Sequence, residues 1–307
     1  MSAGSTLAPN LSDSGSPLGG KINPSLLKLE YLHFLDLSDN LFEGMQIPSF
    51  LGSLKSISHL DLSDSGYFHG TVPHQLGNPS SLVYLSLSGL DGLKVENLQW
   101  LSSFSRLKHL DLSSVNLSKA SDHWLQVMNM LPYLAELHIS HCGLDYIPPL
   151  PIVPIPIMSP NITSLKEIDF GSNYLSQDIP EWLFHQRNLT SLKLGNNLLQ
   201  GSLPRSIGLT SIVTLDLRHN KLEGKIPNSL GNLCGLMVLN LSMNNFIVAN
   251  VSEIFESLSW CGSDRLNSLS LGYNNLSGSL TEHVGKFKNL SRLDLSGNSI
   301  TEHIRSN

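Results

Sequence analysis

LTSLKLGNNLLQGSLP, residues 189–204, decides the fold. Leu192 and Leu194 stand two apart, the spacing that sends side chains to one side of a β-strand while Ser191 and Lys193 point to the other. Leu189 precedes this pair and Asn197 follows it, giving the frame LxxLxLxxN. Gly201 and Pro204 then break any helix over the second half of the unit, because proline fixes φ and removes a backbone donor. One such strand has nothing to bury its leucines against, so the unit is stable only beside others like it.

The others are present. The frame begins at Leu32, Leu35, Leu37 and Asn40, and returns at Ile57, Leu60, Leu62; at Leu82, Leu85, Leu87; and at Leu107, Leu110, Leu112. It continues at Leu134, Leu137, Ile139 and at Leu165, Ile168, Phe170, Asn173. After residue 200 come Ile212, Leu215, Leu217, Asn220; Leu236, Leu239, Leu241, Asn244; Leu266, Leu269, Leu271, Asn274; and Leu290, Leu293, Leu295, Asn298. That makes eleven copies, mostly ~24 residues apart and inside the range of leucine-rich repeats. A solenoid of the α/β type is expected, with a parallel sheet on the concave face. The buried Asn amide would satisfy backbone groups left unpaired at each turn. Ser65, Val115 and Cys142 take its place in some copies, so the early ladder should be less regular.

The other half of the period reads GxxIP at Gly44, Ile47 and Pro48, and GxVP at Gly70, Val72 and Pro73. Gly201, Leu203, Pro204 and Gly224, Ile226, Pro227 match it, while Ile179 and Pro180 keep the last two positions. Proline there favours extended chain followed by a short 3₁₀ turn, so the convex face should be mostly irregular or 3₁₀.

Charged residues are only 14% of the chain and the net charge is −6, so there is no electrostatic footprint for nucleic acid. No apolar run is long enough for a membrane segment. A phosphate-loop near-miss, Gly15 to Lys21, is followed by Ile22 instead of Ser or Thr. No nucleophile–base pair or carboxylate dyad stands out, so no enzyme, no cofactor and no metal is expected; His59 and His109 are two strands, about 10 Å, apart.

The combined pattern resembles the plant-specific leucine-rich repeat of receptor-like kinases, receptor-like proteins and polygalacturonase-inhibiting proteins. Finer phrases resemble the receptor-like proteins that sense fungal ethylene-inducing xylanase: LGGKINPS at 18–25, LGNLC at 230–234, and FESLS at 255–259 followed by CGSD at 261–264. The resemblance implies a non-catalytic ligand-recognition domain at the extracellular face of the plasma membrane, in defence signalling. Its ligand would be a microbial protein or peptide such as a fungal enzyme, and its partner a co-receptor kinase. A secreted inhibitor of a cell-wall hydrolase is the alternative, and a truncated receptor without function a third. Residues 1–20 are read as a Ser/Gly-rich, disordered lead and 21–307 as the repeat domain, with a Pro-rich crossing at 148–160 and an incomplete last repeat. Signal peptide, paired-cysteine caps, transmembrane helix and kinase motifs of such families are not found, which suggests a fragment whose ends fray.

Column by column, the concave positions supply the binding candidates: His59, Asp61, Tyr84, His109, Asp111, Glu136, His138, Glu167 and Asp169. His59, Tyr84, His109 and Glu136 should form one stripe beside an acidic column, although Asp is also simply what the repeat places there. Sequons mark Asn10, Asn116, Asn161, Asn188, Asn250, Asn275 and Asn289 as glycosylation candidates; Asn240 is awkward, lying between two core leucines. Aligning Leu236 with Leu266 brings Cys234 and Cys261 within about three positions on stacked coils, where a disulfide is expected in an oxidising compartment and two free thiols are the alternative. Cys142, in the Asn slot, should be a buried thiol.

Overall fold

The computed structural model describes residues 17–149 and 161–301 apart from Glu43, Tyr67 and Ala249, and positions Asn10, most of the proline crossing and 302–307 lie outside it. Eleven three-residue strands form one parallel sheet in sequence order, from Phe34–Asp36 through His59–Asp61, Tyr84–Ser86, His109–Asp111, Glu136–His138 and Glu167–Asp169 to Arg292–Asp294. Each centres on a frame leucine or isoleucine, and these residues pair in register: Leu35 with Leu60, Leu60 with Leu85, Leu85 with Leu110. Leu85, Leu110, Leu137, Leu192 and Leu215 are fully buried. Their outward neighbours are therefore fixed in register too, which is how a repeat builds columns on a surface.

A sharp turn leaves every strand. The residue before each Asn slot has positive φ in all eleven copies: Asp39, Asp64, Gly89, Ser114, His141, Ser172, Asn196, His219, Met243, Tyr273 and Gly297. The slot residue then ties neighbouring coils together. Asn197 donates from Nδ2 to Phe170 O and Leu194 O, while its Oδ1 accepts from Leu175 N of the preceding coil. Asn173, Asn220, Asn244, Asn274 and Asn298 repeat the arrangement. Early copies differ as expected from their residues. Ser65 donates to Leu37 O, and the Cys142 thiol donates to Leu112 O at 3.1 Å. Leu90 and Val115 are simply buried hydrocarbon in that slot.

On the convex side, 3₁₀ helices follow Pro48, Pro73, Pro180 and Pro227, at Ser49–Ser53, His74–Gly77, Glu181–His185 and Asn228–Asn232. Pro204 is followed by none. These helices pack closely because of their glycines: a Cβ on Gly52 would lie 1.9 Å from Gln75 O, and one on Gly231 2.2 Å from Ser257 O. Longer copies insert short α-helices, Trp124–Met128 and Ser252–Leu258.

Two features add to the sequence reading. The segments after the Asn slot form parallel strands of their own, in a four-stranded sheet that includes Asn245–Val248 and Asn275–Gly278 and a pair at His69–Thr71 and Gly92–Lys94. The residues after the Asn slot already run extended, and stacking at one-coil spacing lets their backbones pair. At the start, Leu18 N donates to Asn40 Oδ1 and Gly19 bridges Leu41, so the end of the Ser/Gly lead is already bonded to the first coil.

Candidate recognition surface on the concave face

Register places Phe34, His59, Tyr84, His109, Glu136 and Glu167 side by side in one column. The four rings stack: centroids are 4.0 Å apart for Phe34–His59, 4.0 Å for His59–Tyr84 and 4.2 Å for Tyr84–His109, with interplanar angles of 13°, 12° and 5°. This follows from the sheet. Parallel strands repeat at ~4.8 Å, close to aromatic stacking distance, so flat side chains at the same position of successive copies must lie face to face. His138, one column over, meets His109 edge-on at 5.4 Å. Phe34, which ends the stack and leaves one face open, is 58% exposed.

The second column carries Asp36, Asp61, Ser86, Asp111, His138 and Asp169. Asp36, Asp61 and Asp111 each accept the backbone N–H two residues on, from Ser38, Ser63 and Ser113. These carboxylates thus shape the strand exit as well as the surface. Tyr84 donates its hydroxyl to Asp61 Oδ2 at 3.3 Å; burial, with Asp61 beside it, pushes the phenol up to about 12. His109 Nδ1 lies 2.6 Å from Glu136 Oε2. A carboxylate only accepts, so that nitrogen carries the proton.

His138 lies between carboxylates, Nδ1 3.8 Å from Asp111 and Nε2 3.9 Å from Glu167. Asp111 raises the imidazole above its ordinary value against the opposing effect of burial. Burial would lift Asp111, but His138 and Ser113 outweigh it and hold that carboxyl low. His59, without such a partner, is lowered by burial, which Asp61 and Asp36 only partly offset. Further along, Asp169 pairs with Lys193 and Asp216 with Arg218, each at 3.5 Å.

All nine binding candidates therefore sit on one continuous face, the stripe and the acidic column side by side. Phe34 belongs with them: an aromatic residue at the same frame position as His59 and Tyr84 was the signal. A separate cleft of about 460 Å³, lined by Asp91, Ser114, Asn116, His141 and Tyr174, lies at the turn edge of the sheet. Among the described residues no cluster of metal-binding side chains occurs, and no helix is long and apolar enough to cross a membrane.

Cys234 and Cys261 are joined by a disulfide, with Cα atoms 5.0 Å apart. It links the turn after Asn228–Asn232 to the end of the Ser252–Leu258 helix. Cys142 is a buried free thiol, pushed well up by burial. Of the sequons, Asn116, Asn188, Asn275 and Asn289 are exposed and Asn250 half-buried, all off the concave strands; Asn240 is on one. Asn161 opens a 3₁₀ turn, Asn161–Ser164.

The Leucine Rich Repeat family model matches residues 31–54, 164–186, 211–233 and 289–307. The chain is 38% identical over 290 residues to receptor-like protein EIX2 of Solanum lycopersicum, covering 92% of this chain and 27% of that protein. It is a leucine-rich-repeat chain related to plant receptor-like proteins. Receptor-like protein EIX1 of the same plant is 38% identical over 193 residues, 62% of this chain and 18% of its own length. This leucine-rich-repeat chain thus spans about a quarter or less of the curated relatives it matches. The Arabidopsis receptor kinase HAESA, solved in complex with the peptide hormone IDA and the co-receptor SERK1, superimposes with a TM-score of 0.69 at 26% identity, covering 92% of this chain and 48% of that one.

Proposed function

We propose that the concave face of the first six strands recognises a microbial protein or peptide, as part of a receptor ectodomain at the plant cell surface that acts in defence. The observation that carries this reading is the ladder Phe34–His59–Tyr84–His109, continued by Glu136 and His138. A repeat consensus accounts for an Asp in the second column but not for four successive rings in the first. Aromatic groups held rigidly at a surface give contact area at little entropic cost, the usual make-up of an interaction hot spot. Similarity to EIX1 and EIX2 supports the receptor assignment, and the HAESA complex shows a related ectodomain holding a peptide beside a co-receptor. The exposed sequons lie off this face, so glycans at Asn116, Asn188, Asn275 and Asn289 would leave it open.

The test is selection of linear peptides by the full chain from a random library, followed by affinity measurement on Tyr84→Ser/His109→Ser. Both side chains are partly exposed and off the leucine core, so the fold should survive, which circular dichroism checks. Loss of at least tenfold in affinity is expected. Unchanged binding would remove the concave face as the site.

A further inference from the structure

The carboxylates of the concave sheet are not distributed evenly with respect to cations. From the sixth strand onward two acids are answered by cations of the chain itself: Asp169 by Lys193 and Asp216 by Arg218. In the first six strands the outward positions are Phe34, Asp36, His59, Asp61, Tyr84, Ser86, His109, Asp111, Glu136, His138, Glu167 and Asp169, with no Lys or Arg among them. Lys108 and Lys166 stand one residue before their strands, and neither forms an ion pair among the described residues.

Two pairs are the more telling. Asp36 faces Asp61 in register, and Glu136 faces Glu167. Like charges directly opposite on neighbouring strands cost stability. Each pair sets two carboxylates side by side on an open face, where a cation would relieve their repulsion. Glu136 and Glu167 keep 43% and 45% of their side-chain surface exposed, although each also faces a histidine.

We propose that this face takes an extended segment carrying two basic side chains about six residues apart, one at each carboxylate pair. The spacing follows from the sheet. The pairs are centred four strand steps apart and offset by one outward position, a diagonal of about 20 Å at ~4.8 Å per step and ~3.3 Å per residue. An extended chain covers that distance in about six residues. Between the two subsites the segment crosses Tyr84, Ser86, His109 and Asp111; the one carboxylate there, Asp111, already faces His138 and accepts from Ser113 N, so uncharged residues fit. A guanidinium suits the Asp36–Asp61 end especially, since it can bind carboxylate and lie against the open ring face of Phe34.

This inference rests on the concave face being the binding surface, and its test is arranged to separate the two. The probe is a fluorescein-labelled, otherwise neutral Ser/Thr/Gln peptide with two arginines six positions apart. Its controls are an isomer with adjacent arginines and a counterpart with glutamates. Fluorescence anisotropy with the full chain should show saturable binding of the probe, severalfold weaker binding of the isomer and none of the glutamate peptide. Glu136→Gln/Glu167→Gln and Asp36→Asn/Asp61→Asn should each weaken it about fivefold or more, as should 300 mM salt. Asparagine is compatible with that second position, because Asn240 accepts from Ser242 N and Oγ in the same way there. No binding of the probe, or binding indifferent to both double variants, overturns the proposal. Library-selected peptides that lose affinity on Tyr84→Ser/His109→Ser, lack basic residues and ignore the carboxylate variants would overturn it while leaving the concave-face reading intact.

Discussion

Replacing Asn197 by Leu should cost the solenoid about 3 kcal/mol, more than its surface area alone would suggest. The side chain is almost completely buried and bonds two coils at once. Leu175 N has Asn197 Oδ1 as its acceptor, so that buried N–H would be orphaned, at about 1–3 kcal/mol. Phe170 O and Leu194 O would each lose one of two amide donors, because Asn173 and Asn220 also reach them. Those losses add about 0.5–1 kcal/mol each. Leucine in the slot recovers part through burial, as Leu90 shows that hydrocarbon is accepted there. Ser65→Ala supplies the scale. That hydroxyl only donates, to Leu37 O, which also receives Asn40, and to Ser63 O, so its removal should cost about 1 kcal/mol. Guanidinium chloride unfolding followed by circular dichroism measures both. Equal losses for the two variants, or a change under about 0.5 kcal/mol for Asn197→Leu, would refute the claim that the ladder works by satisfying backbone groups between coils.

Three further outcomes are expected. Replacing Cys234 and Cys261 by serine opens a link across 27 residues, which by loop entropy should cost about 3–4 kcal/mol in chemical unfolding; non-reducing digestion with mass spectrometry should show the joined peptides in the parent chain. Gly52→Ala should destabilise by about 1–3 kcal/mol, since its Cβ meets the backbone of the next coil rather than a side chain that can move. In an NMR titration His138 should titrate above 6.5 and His59 below it. The raised His138 stabilises fully below its unfolded value of 6.5 and loses that contribution as pH rises through its folded value, whereas the lowered Asp111 contributes above 3.8 and loses it as pH falls through its folded value. Their pair is therefore strongest between 3.8 and 6.5, and His138→Gln should flatten the loss of stability as pH rises above 6.5.

The solenoid was legible because its determinants are local and repeated. Leu192 and Leu194 state a strand, and eleven such statements state a sheet. The acidic and aromatic columns were legible for the same reason: fixed register turns a sequence position into a place on the surface. The secondary strands such as Asn245–Val248 were not, because what they need is an extended backbone at coil spacing, and side-chain pattern there is weak. Phe34 shares the frame position of His59 and Tyr84, but its stacking on His59 is a matter of ring geometry. Chain-distant pairs, such as Asp111 with His138, depend on side-chain rotamers that frame position does not fix.

Hydrogen–deuterium exchange on the full chain, with and without a peptide it selects from a linear library, tests the concave-face assignment most directly. Protection is expected in segments covering 33–38, 58–63, 83–88, 108–113, 135–140 and 166–171, with the convex helices at 49–53 and 228–232 unchanged. Protection confined to the convex or turn edges, with those strand segments exchanging as before, would contradict it.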